Sequence, residues 1–161
     1  MKCLALLMLV LCGCAVNRTP ITLNFNITEL DRQEAKRAID STYAAMETLE
    51  YCNYFRDTYP YNYRFLLDNI KPKGFTVTRA TDDEIEVVLI KLGIKAAAYT
   101  MVEDKTIRIS RRQLFNGASE LDRTVAHELL HIALMPNHHV PQQQSDAIIV
   151  TLKECGFKEY K

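Results

Sequence analysis

The stretch from Glu120 to Pro136 constrains the fold more than any other part of the chain, because as a helix it leaves a single polar stripe. Ser119-Glu120-Leu121-Asp122 has capping-box spacing just ahead of an apolar run, which predicts a helix starting near Glu120, and Pro136 forbids its continuation. Val125, Leu129 and Ile132, with Ala126, Leu130 and Ala133, cover the other faces, so this helix is expected to be buried nearly all round. Such a helix has to be surrounded by the other elements of its domain.

The stripe carries His127-Glu128-Leu129-Leu130-His131. Residues four apart share a helix face, so the two imidazoles can converge on one zinc ion at the usual Zn–N distance of about 2.0–2.1 Å. Glu128 lies about 100° round the helix from His127, placed to act as a general base rather than to ligate. The plain alternative is a core helix or a structural zinc site, and five-residue matches do arise by chance. Against it, a buried Glu between two His on an apolar helix carries an unpaired charge, whereas a metal resolves all three residues together. Zinc there activates water and polarises a carbonyl while the carboxylate carries a proton to the leaving amine, the chemistry that peptide-bond hydrolysis requires.

A length of 161 residues with 48% hydrophobic content suits one domain with one core. Lys+Arg and Asp+Glu both total 20, so no whole-chain positive field exists to attract nucleic acid. Lys2 and the apolar run over residues 3–11 read as an export signal, too short to span a bilayer. Leu11-Cys12-Gly13-Cys14 resembles the lipobox of bacterial lipoproteins, in which the final Cys is acylated and becomes the mature N-terminus. Cys12 stands where that family usually carries Ala, Ser or Thr, and an ordinary cleaved secretory signal is the alternative.

The resemblance implies a signal peptide over residues 1–13, a lipid on Cys14, a tether over 14–27 and a folded domain over 28–161 in the cell envelope, anchored to the membrane. Several acyl chains anchor stably where one alone is marginal. Cys52 and Cys155 then remain in an oxidising compartment, either as a disulfide or as two buried thiols.

Along the mature chain, Thr28-Glu29-Leu30-Asp31 has capping-box spacing, and Leu30, Ala35, Ala38, Ile39, Tyr43, Met46 and Leu49 follow near helical period. They predict a long amphipathic first helix. Strands are expected over residues 75–78, 86–92, 96–101 and 106–110, and a last helix over 142–154, which gives an α+β class. Tyr51, Tyr54, Phe55, Tyr59, Tyr61, Tyr63 and Phe65 form an aromatic run whose expected use is packing under a Pro60 turn, ahead of a stacking platform for a ligand.

Around the histidine helix the chain resembles the metzincin metallopeptidases, and within them matrixin-like domains, whose signature HExxHxxGxxH puts a third His after a Gly turn. The likeness covers residues 84–149. Ala96-Ala97-Ala98-Tyr99-Thr100 is similar to the family's cleft-lining edge strand, and Thr106-Ile107-Arg108-Ile109-Ser110 to the strand before the helix. Ser145-Asp146-Ala147-Ile148-Ile149 is loosely similar to the stretch around the Met-turn.

The resemblance implies a zincin-like fold: a small twisted sheet, mostly antiparallel or mixed, packed on the first helix and the histidine helix. It also implies one zinc ion and endopeptidase activity on peptide or protein substrates. Leu134 replaces the Gly, Asn137 takes the third-His position, and Ile148 or Ile149 stands in place of the Met. The third ligand is therefore His138 or His139, delivered by a turn displaced to Pro136-Asn137, or, in an arrangement resembling gluzincins, a carboxylate from Asp146 or Glu154. The departures also suit a second function, a lipid-anchored binding domain of the same fold that does not cleave.

If Cys14 is acylated, metabolic labelling with a fatty acid is expected to mark the chain and to be lost in Cys14→Ser. Unchanged labelling of the variant removes the anchor.

Overall fold

The computed structural model describes residues 22–85, 97–134 and 141–158. Its first strand, β1 (Phe25–Thr28), comes earlier than the hydrophobic pattern suggests, because Phe25 stacks on Phe75 with ring centroids 5.5 Å apart. Leu23 is already buried in the core, so residues 23–27, expected to belong to the tether, are part of the folded domain. With residues 25–28 extended, the capping box falls one turn later than expected. Asp31 accepts from the N–H groups of Gln33 and Glu34, and the Glu34 carboxylate accepts the N–H of Asp31, opening α1 (Arg32–Glu50).

Two short helices, α2 (Asn53–Thr58) and α3 (Pro60–Phe65), follow, then a π-helical turn Leu66–Ile70 and the strand β2 (Phe75–Ala80). The aromatic run packs as expected. Phe55 is fully buried edge-on to Tyr63, whose hydroxyl donates to Glu50 O at 2.7 Å, while Tyr51 and Tyr61 stay exposed. The strand expected over residues 86–92 lies outside the described residues.

A hairpin, β3 (Ala98–Met101) and β4 (Thr106–Ser110), completes a four-stranded sheet in the order β1-β2-β4-β3. β1 with β2 and β2 with β4 run parallel, and β3 alone is antiparallel, paired with β4. Among the described residues the sheet is thus mixed rather than mostly antiparallel. The physical reason is α1: inserted between β1 and β2, it brings the chain back into the sheet in its original direction, whereas the short turn between β3 and β4 can only reverse it. Among the described residues β3 lies at the edge.

After the single turn α4 (Arg111–Leu114), the histidine helix α5 (Ala118–Leu134) starts two residues before the expected position, with Gly117 O accepting the N–H groups of Glu120 and Leu121. It is buried nearly all round, as its pattern demands: Leu121, Val125, Ala126, Leu129, Leu130, Ala133 and Leu134 are all 0–1% exposed. It packs on α1 and on β3 and β4 of the sheet, within one core that also holds Ala38, Ala45, Met46, Leu49, Val77, Ile107 and Ile109. Both ends are pinned. Gln113 donates to Thr124 Oγ1 at 2.7 Å, and Asn62 donates to Ala133 O at 2.8 Å, satisfying a carbonyl of the last turn.

The last helix, α6 (Pro141–Glu154), packs Ile148 and Leu152 into the same core. At its end Cys155 forms a disulfide with Cys52, which caps α2, the two Cα atoms lying 5.2 Å apart. Among the described residues no helix is long and apolar enough to cross a membrane.

The bridge closes a loop across 103 positions, which by chain entropy places its contribution near the upper end of the usual range of about 2–5 kcal/mol. Cys155→Ser is expected to lower the denaturant midpoint accordingly, measured by circular dichroism against the oxidised chain. Identical midpoints would show that the two thiols are not joined in the folded protein.

Candidate metal and catalytic site

α5 packs against the edge strand β3 as well as against β4. His127 and His131, one turn apart and both half-buried, bring their Nε2 atoms to 3.1 Å, with ring centroids 4.8 Å apart and planes at 69°. Two nitrogens bound tetrahedrally to one zinc would sit about 3.3 Å from each other, given Zn–N bonds of about 2.05 Å. The pair thus already has nearly the spacing of two ligands on one ion, and its donor set fits zinc.

Glu128 points to a different side. It is 4% exposed, and its Oε2 accepts from Thr100 Oγ1 at 2.6 Å; the same hydroxyl lies 3.3 Å from Glu128 O. Thr100 sits on β3, opposite fully buried Ile107 of β4, so the contact ties the edge strand to the helix. A hydroxyl both donates and accepts, so Thr100 can serve the carboxyl in either protonation state, turning its own hydrogen to Oε2 or to the main-chain oxygen.

Burial governs the electrostatics. It pushes the Glu128 carboxyl up to about 7, with the Thr100 hydrogen bond acting in the opposite direction. Burial, reinforced by the neighbouring His131 and Arg123, pushes His127 down to about 3. His127 is therefore neutral, the form a metal ligand needs, and Glu128 titrates where a group that takes up and returns protons is most effective.

The sequence-expected residues divide into three groups. His127 and His131 are brought together on α5, whereas Glu128 of the same helix turns to Thr100. His138 and His139 lie outside the described residues. Asp146 and Glu154 are exposed on α6, and among the described residues no group of three or more His, Cys, Asp or Glu is gathered as a metal cage.

Two residues were missed from sequence. Thr100 was read only as part of an edge strand; the one aliphatic hydroxyl in Ala97-Ala98-Tyr99-Thr100-Met101 was the available signal. Arg123, buried one turn before His127, extends the stripe at positions 123, 127 and 131 and contributes to holding His127 neutral. Tyr99 projects to the other face of β3, where it bonds Glu84 and Arg108, and is not part of this site.

Compared with known proteins, the chain matches no protein-family model, no curated protein and no solved structure. What the geometry defines is an α+β framework whose buried helix carries a histidine pair at ligand spacing and, on another side, a buried carboxylate that β3 holds.

The two shifted groups give the metal-free chain a distinctive pH profile. With His127 lowered from 6.5 to about 3 and Glu128 raised from 4.5 to about 7, the unfolded chain binds the extra proton between about pH 3 and 4.5, so stability rises with pH there. From 4.5 to 6.5 each state holds one proton and the contribution is level; from 6.5 to about 7 the folded chain holds the extra one and stability falls. Unfolding midpoints measured in chelator are expected to lose the acid-side rise in His127→Ala and the neutral-side fall in Glu128→Gln. A wild-type profile without the rise between pH 3 and 4.5 contradicts the burial of His127.

Proposed function

We propose that this chain is a zinc-dependent endopeptidase of zincin type, exported to the cell envelope and held at the membrane through a lipid on Cys14. The observation that carries the reading is the convergence of His127 and His131 to 3.1 Å, with the buried Glu128 next in sequence on the same helix. His127 and His131 hold the ion in this reading, with His138 or His139 as the third ligand, since both follow α5 closely in the chain. Zinc, when bound, supplies Lewis acidity toward the scissile carbonyl and makes water acidic enough to attack near neutral pH.

The chain's own residues account for the rest. Glu128 takes the proton of the attacking water at its carboxylate and passes it to the leaving amine, a role suited to a group titrating near 7. An extended substrate pairs its main chain with β3, the antiparallel edge strand beside α5, which holds it parallel to the stripe carrying the histidines. The sheet order with an antiparallel edge strand next to the histidine helix supports the zincin-type assignment. The Cys52–Cys155 disulfide supports export, because such bridges persist in oxidising compartments.

Purified chain is expected to bind one zinc and to cleave an unstructured protein, whereas Glu128→Ala keeps the zinc and loses at least about 100-fold in kcat, measured by metal analysis and a quenched-fluorescence assay. Equal inactivity of both forms against varied unfolded substrates points instead to a lipid-anchored binding domain, the use that Leu134, Asn137 and the missing Met also suit.

A further inference from the structure

We propose that Thr100 is a positioning residue for Glu128, an assignment that rests on the peptidase reading above. Among the described residues no other side chain hydrogen-bonds the Glu128 carboxylate, so the orientation of the proposed base depends on one hydroxyl. That hydroxyl is itself well held. β3 fixes the Thr100 backbone through its pairing with β4 at Ile107, and a β-branched side chain has few rotamers to choose from. Thr100 Oγ1 also lies 3.3 Å from the main-chain oxygen of Glu128, but its single hydrogen goes to the nearer carboxylate oxygen when Glu128 is ionised.

The link has a structural logic beyond the single bond. Substrate pairs with β3 in the proposed function, and the base is held from β3 as well, so one strand sets the positions of both the peptide and the carboxylate that works on it. Burial of Glu128 leaves little water to replace the donor, which makes the hydroxyl difficult to substitute.

The test compares Thr100→Val and Thr100→Ser in the full chain, purified in detergent with zinc, using a fluorophore-quenched unfolded protein as substrate. Thr100→Val keeps the shape and removes the donor. It is expected to keep its zinc and leave KM unchanged while lowering kcat roughly tenfold to a hundredfold, the range for one hydrogen bond to a carboxylate, and Thr100→Ser is expected to restore most of the loss. Should the Val variant not fold, Thr100→Ala takes its place against the same Ser variant.

An active wild type whose Val or Ala variant has normal kcat overturns the positioning role. So does a loss that the Ser variant shares in full, or one that falls on KM alone. A wild-type chain that binds zinc yet cleaves nothing sinks the peptidase reading itself, a different outcome in the same assay.

Discussion

Burying one helix on nearly every side is the constraint from which the rest of this structure follows. α5 has no apolar face to choose, so α1, the sheet and α6 must all close on it, which buries Glu128 and half-buries His127 and His131. Leu121, Val125, Leu129, Leu130 and Leu134 are essentially inaccessible, and each stabilises the domain by about 1.5–3 kcal/mol relative to exposure. That apolar packing offsets the desolvation of Glu128 and His127. A helix at the surface could carry the same residues without shifting either of them.

The surroundings hold the helix in place rather than merely covering it. Gln113 and Thr124 fix its entry, Asn62 occupies a carbonyl of its last turn, and Asp122 meets Ser41 of α1. Away from the stripe, the fully buried Glu34 carboxylate takes Arg79 of β2 at 3.2 Å and Arg111 of α4 at 3.4 Å while also capping α1. One carboxylate thereby joins three elements at the end of the sheet, and its burial is tolerated because every partner is charged or a backbone N–H. The disulfide does the corresponding work at the far end of the chain, fastening α6 to the start of α2.

These supports bear on chemistry because they set protonation. A neutral imidazole and a carboxyl that titrates near neutrality are opposite departures from ordinary values, and one cause, loss of water, produces both. The edge strand then contributes what burial alone does not, an oriented donor. Thr100 reaches across 28 positions of sequence to meet Glu128, and it does so from the outermost described strand of the sheet.

Local spacing accounts for what was legible in the chain itself. His127 and His131 share a face because four residues make about one turn, the strand over 106–110 shows in its alternation, and the last helix shows in its period, with ends displaced by a residue or two. The expected export signal left Cys52 and Cys155 as a pair, bridged or as two buried thiols, and their separation was not readable from the chain. Other features needed the assembled protein: the recruitment of residues 25–28 into a parallel pair with β2, the shift of the first capping box to Asp31, the 3.1 Å approach of the two imidazoles, and the hold of Thr100 on Glu128. Periodicity is decided by neighbours three and four residues away, whereas which strand lies beside which helix is decided by how distant surfaces pack. The residue types of the site were therefore written in the sequence, and their orientation and protonation were decided only by the tertiary structure, through the water it excludes and the partners it brings within reach.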